Sequence, residues 1–154
     1  MQIQSFLSSR RTLCGAEGGS KKRALELIAN LIAEDIPTLN SDEIFLSLIA
    51  REKLGATGLG NGIAIPHCRI KNCIGTVGAV IKLNSAVDFD SIDGKPVDLI
   101  FALIAPEEAH EEHLQTLAVL AEKLSSEEYI KQLRSSESSE ALYAFATQQS
   151  PSLV

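Results

Sequence analysis

The chain has little with which to hold a nucleic acid or a membrane, and nothing to staple it. Its formal net charge is −6 over 154 residues. The basic clusters, Arg10–Arg11 and Lys21–Lys22–Arg23, are each too short for a nucleic-acid footprint. No apolar run approaches the roughly 20 residues of a membrane-spanning helix. The N-terminal MQIQSFLSSRRTLCG has arginines with no apolar stretch behind them, which argues against a signal peptide. Three cysteines (Cys14, Cys68, Cys73) are an odd number without framework spacing, as expected for free thiols in a reducing cytoplasm. No partner of nucleic-acid type and no membrane insertion are therefore expected. Low-complexity tracts and internal repeats are also missing.

What is present is an ordinary globular composition, 45% hydrophobic and 22% charged, enough for one buried core. Residues 1–11 are polar and read as a loose N-terminal arm. Residues 12–154 read as a single domain. A strand is expected at Thr12–Cys14. Ser20 then caps a helix in which Leu25, Ile28, Leu31 and Ile32 recur at helical spacing until Pro37. Asn40 with Glu43 resembles a capping box opening a second helix, which runs to Leu54 and stops at Gly55. The apolar runs VGAVIKL (77–83) and VDLIFALIA (97–105) do not alternate, so both are strands covered on two faces. Pro106 should start a third helix over Glu107–Leu124, Ser125 a short fourth, and Leu142 with Phe145 marks a last one. Helices before and after buried strands predict an α/β three-layer sandwich with a central mixed β-sheet.

The stretch GLGNGIAIPHCR (Gly58–Arg69) is the unusual one. Gly55, Gly58, Gly60 and Gly62 fall within eight residues, at a cost in backbone entropy that some gain must offset. No Gly-Lys-Ser/Thr follows, so this is not a Walker loop. Ile63 stands where a dinucleotide fingerprint needs glycine. What remains is a loop whose backbone N–H groups can approach an anion, leading through a short strand to His67 at its end. The competing reading is a flexible connection before a solvent-facing histidine. His110 and His113 share a helix face, but HEEH spaces its histidines three apart rather than the four of a zinc-protease helix. No paired C-x₂-C occurs either, so a metal-dependent hydrolase is the weakest alternative and no metal is expected. By position alone, His110 reads as a solvated helix-start residue, His113 as a packing residue, and Arg51 as the partner of a surface ion pair with Glu52 or Glu43.

Three segments read together change those assignments. REKLGATGLGNGIAIPH (Arg51–His67), VDFDSIDGKPVDLIFALIAP (Val87–Pro106) and HLQTLAVLAEKL (His113–Leu124) closely resemble enzyme IIA domains of the bacterial phosphoenolpyruvate-dependent phosphotransferase system. The class is the fructose/mannitol type, and SKKRALE (Ser20–Glu26) is similar to its nitrogen-regulatory branch. The resemblance is collinear over residues 12–148, with one departure: Cys68 stands where the family usually has glycine.

The resemblance implies a phosphocarrier without cofactor. The family's phosphorylated histidine falls on His67, its second active-site histidine on His113 and its site arginine on Arg51, and Thr57, Gly58, Gly60 and Gly62 make up the expected phosphoryl-binding loop. It also implies an HPr-like phosphohistidine protein (NPr) as donor, and transporters or sensor kinases as regulatory targets. The alternative within the family is a sugar-specific IIA component passing phosphate to a IIB domain. The chemistry suits these residue types. A neutral imidazole is a competent nucleophile near pH 7, and an arginine fork matches phosphoryl oxygens.

Overall fold

A computed structural model describes residues 2–148. Two 3-10 turns (Ile3–Ser5, Ser9–Arg11) precede β1 (Thr12–Ala16), α1 (Lys21–Asp35) and α2 (Ser41–Leu54). Then come β2 (Gly58–Gly60), β3 (Ile63–Ala64), β4 (His67–Ile70), β5 (Val77–Val87) and β6 (Val97–Pro106). The chain closes with α3 (His110–Lys123), α4 (Glu127–Ser135) and α5 (Ser139–Thr147). Both expected caps are made: the Ser20 hydroxyl accepts from the Arg23 amide, and the Asn40 side chain from the Glu43 amide.

The sheet runs β1-β5-β6-β3-β2, with β4 also on β6, and it is mixed. β1 lies parallel to β5, β3 and β4 lie parallel to β6, and the β5/β6 and β2/β3 pairs are antiparallel. Successive side chains of β6 go to opposite sides. Ile100, Ala102 and Ile104 pack with Leu25, Ile28, Ile32, Ile44 and Leu48 of α1 and α2. Leu99, Phe101 and Leu103 pack with Leu120, Leu133 and Leu142 of α3, α4 and α5. The unbroken apolarity of this strand thus has its expected cause, and the three layers are as predicted. Each fully buried Leu or Ile contributes about 1.5–3 kcal/mol of transfer free energy.

Four expectations need correction. The N-terminal arm is not loose: Ile3, Phe6 and Leu7 are buried in the second core. Phe6 O accepts from the Gly78 amide at 2.7 Å, and Arg11 ties the segment to Asp35 at 2.5 Å and to Gly78 O at 2.9 Å. The remainder of the expected domain, 149–154, lies outside the described residues. Pro106 ends β6 instead of starting a helix. It accepts the turn hydrogen bond of the Ala109 amide, and α3 begins only at His110. The fourth helix is capped by Ser126, one residue later than expected. Finally, His67 is the first residue of β4, and not the last of the strand before it. Both β3 and β4 pair with β6, and between them the carbonyl of Pro66 accepts the Leu103 amide at 3.0 Å. A proline suits this joint, because the bond there uses its carbonyl and asks for no N–H.

Candidate functional site

The glycine-rich segment is a hairpin. β2 and β3 are joined by Asn61 (φ 57°) and Gly62 (φ 80°), an Asn-Gly pair with both central residues left-handed, as two-residue hairpins prefer. A side chain on Gly58 would place its Cβ 2.1 Å from Ser91 Oγ, and one on Gly62 would lie 2.4 Å from an Arg134 nitrogen. Arg134 in turn grips Asp98 through two nitrogens and bonds the Asn61 carbonyl. The Asn61 amide is taken by Asp93 at 2.9 Å. The Thr57 amide (3.2 Å) and hydroxyl are both taken by the Glu52 carboxylate. Gly58 and Gly62 thus leave room for Ser91 and Arg134, and the Thr57 and Asn61 amides are held by carboxylates.

His67 lies just beyond this hairpin, half-buried, with Nδ1 2.6 Å from the carbonyl oxygen of Ile65. A carbonyl only accepts, so Nδ1 carries the proton and Nε2 keeps its lone pair. Burial is the largest influence on the ring and lowers its pKa. The Ile65 hydrogen bond works the other way, Arg51 adds to the lowering and Glu52 opposes it. The net result is a ring that stays neutral at pH 7.

His113 faces it from α3, ring centroids 5.6 Å apart and planes tilted by 51°. Burial, and after it the positive fields of His67, Arg69 and His110, bring its pKa down to about 4. Its Nδ1 has no hydrogen-bond partner among the described residues. A buried orphan of this kind costs about 1–3 kcal/mol.

Arg51 sits in the last turn of α2 and anchors one nitrogen on Gly55 O at 2.9 Å. The alternative for Arg51, an ion pair with Glu52 or Glu43, is not formed. Glu52, its side chain 5% exposed, instead pairs with Lys21 Nζ at 2.8 Å. The structure thus brings the rings of His67 and His113 together, with Arg51 near enough for its charge to act on His67. Sequence reasoning passed over Glu52, Arg69 and His110 as parts of this site. Arg69 was findable: two residues beyond His67 on one strand, it shares a side of the sheet with it.

Cys68 points the other way, into the core under α1 and α2. Burial pushes its thiol up to about 12, with Cys73 adding to the effect. The departure from glycine is accommodated as a small apolar side chain, and the thiol is inert. Among the described residues, no group of three or more His, Cys, Asp or Glu is arranged to hold a metal ion. No helix among them is long and apolar enough to cross a membrane.

The chain is similar to known proteins over nearly its whole length. The family model for the phosphoenolpyruvate-dependent sugar phosphotransferase system, EIIA 2, matches residues 5–149. A nitrogen regulatory protein of Pseudomonas aeruginosa is 50% identical over 143 residues, covering 93% of each chain. One of Escherichia coli is 39% identical over 148 residues, covering 96% of this chain and 90% of that one. The crystal structure of nitrogen regulatory protein IIA-Ntr from Neisseria meningitidis superposes with a TM-score of 0.86 at 42% identity, covering 94% and 99%.

Proposed function

Because the chain belongs to the EIIA type 2 family of the phosphoenolpyruvate-dependent sugar phosphotransferase system, we propose that it accepts a phosphoryl group on Nε2 of His67 from an HPr-like (NPr) phosphohistidine protein. The observation that carries this reading is the hydrogen bond from His67 Nδ1 to Ile65 O. It leaves one ring nitrogen with a lone pair and a fixed direction.

The step balances without a cofactor. The Nε2 lone pair forms the new N–P bond while the donor's P–N bond breaks, its electron pair returning to the donor's imidazole. The proton stays on Nδ1, still donated to the Ile65 carbonyl, so the phosphorylated ring is cationic and the group remains easy to pass on. Phosphoryl transfer asks the protein for positioning and charge stabilisation more than for covalent machinery. Arg51 supplies a permanent planar cation for the equatorial oxygens. His113, neutral at pH 7, supplies a ring N–H.

Identity to nitrogen regulatory proteins supports regulation as the output, with His67 phosphorylation changing the affinity for partners such as transporters or sensor kinases in the cytoplasm. Phosphorylation adds about −1.5 to −2 charges at one surface point, enough to discriminate acidic partners without refolding the domain. The test is incubation with phosphoenolpyruvate, enzyme I and the HPr-like protein, then intact mass at neutral or alkaline pH. One acid-labile phosphoryl group, located at His67 by fragmentation, is expected. No gain, or a gain elsewhere, rejects the reading.

A further inference from the structure

Glu52 occupies a place that elementary electrostatics disfavours. It is a carboxylate in the last turn of a helix, where the dipole is negative, and its side chain is 5% exposed. An uncompensated buried carboxylate is costly, so its partners have to be good ones. They come from two segments, α1 and the loop before β2. Lys21 Nζ, at the first residue of α1, lies 2.8 Å from Oε1. The Thr57 amide donates to Oε1 at 3.2 Å, and the Thr57 hydroxyl to Oε2. Thr57 then passes the constraint on: its carbonyl accepts the Ile65 amide at 3.0 Å, and the Ile65 carbonyl accepts His67 Nδ1 at 2.6 Å. A continuous chain of hydrogen bonds thus runs from the buried carboxylate to the ring whose Nε2 is free.

We propose that Glu52 is a positioning residue of phosphoryl transfer: by clamping Thr57 it sets the Ile65 peptide, and through that peptide it fixes the tautomer and direction of His67. The proposal rests on His67 being the acceptor. Lys21 holds the clamp from the other side and is itself steadied by Asp90 at 3.4 Å and by the Phe89 ring, whose centroid is 5.4 Å away. The arrangement explains why Thr57 belongs to the site although both its donors point away from any incoming phosphoryl group. It also separates the neighbours on α2. Arg51 meets the charge of the group; Glu52 aims the atom that receives it.

The experiment compares Glu52→Gln, Thr57→Val and Thr57→Ser with the unaltered chain. His67 tautomer populations are read by long-range ¹H–¹⁵N NMR, and phosphotransfer from the HPr-like donor by rapid quench. Glu52→Gln keeps the shape but loses the lysine partner and one acceptor. Its kcat should fall roughly 10- to 100-fold, the range expected for misplacing a reacting atom by an ångström or less. KM for the donor should hold, and the Nδ1–H share of His67 should drop. Thr57→Val should move both readouts the same way by less, and Thr57→Ser should restore them. A folded Glu52→Gln chain with unaltered tautomer and kcat overturns the proposal. If Glu52→Gln does not fold, unaltered readouts in Thr57→Val overturn it. The tautomer measurement needs no donor, so a chain that is never phosphorylated sinks the functional reading while the positioning arm is still decided.

Discussion

His67 and His113 are the same side chain 5.6 Å apart, and the fold treats them in opposite ways. Both pKa values are lowered, with burial as the largest cause in each. His67 begins a strand, is half-buried, and has one ring nitrogen committed to Ile65 O. His113 is on a helix, buried, and has a nitrogen with nothing to bond among the described residues. The first arrangement suits the nucleophile proposed above. The second is an unsatisfied group beside it, a feature tolerated only where another gain offsets its cost. The gain assigned here is a hydrogen bond to the incoming phosphoryl oxygens. Burial alone therefore does not distinguish an acceptor from a helper; the partner of the second ring nitrogen does.

The contrast is open to attack, most severely at the acceptor. His67→Ala should end phosphorylation altogether, with no acid-labile gain in mass, while thermal unfolding stays cooperative. A phosphoryl group retained by this variant would place the nucleophile elsewhere. His113→Ala should still be phosphorylated, but more slowly. Loss of one donor aimed at developing charge costs roughly 10²–10³ in rate, which rapid-quench transfer from the HPr-like donor would resolve. Wild-type rates would make His113 a packing residue after all.

The smallest effect is on stability. The pKa of His113 is about 4 in the folded chain against an ordinary 6.5, so in that window the unfolded chain binds more protons. Its contribution is therefore complete above pH 6.5, declines as pH falls toward about 4, and falls no further below that. His67 is lowered as well and acts in the same direction. Urea unfolding between pH 7 and pH 4 should show a shallower decline for His113→Leu than for the unaltered chain. Parallel curves would mean that His113 does not titrate differently on folding.

How much of this could be read beforehand depended on the range of the forces involved. The caps at Ser20 and Asn40 act over three residues, and both were legible. So was the two-faced burial of Val97–Ala105, because a central strand leaves its mark residue by residue. The pairing of His67 with His113 was legible only through the family resemblance, since they come from β4 and α3. Contacts that join distant segments left no local trace. Nothing around Phe6 announces that its carbonyl meets the Gly78 amide, so the arm read as loose. The glycines were read as a loop open to an anion, and their neighbours across the fold were not visible. Ser91 and Arg134 lie some 30 and 70 residues away along the chain and fill the space beside Gly58 and Gly62. Glu52 entered the sequence reading only as an alternative surface partner of Arg51; Lys21, from another helix, holds it instead.

The joint at Pro66 has a consequence for time rather than geometry. The backbone leading into His67 is bonded to Leu103, in the middle of a strand packed on both faces. Amides of such a strand exchange with solvent only when the whole domain opens. Leu103 N–H should therefore be among the slowest to take up deuterium. The acceptor's main chain then has no private opening motion, and its lifetime in place equals that of the native state. The hairpin amide of Asn61, by contrast, is held by the Asp93 carboxylate rather than by the sheet.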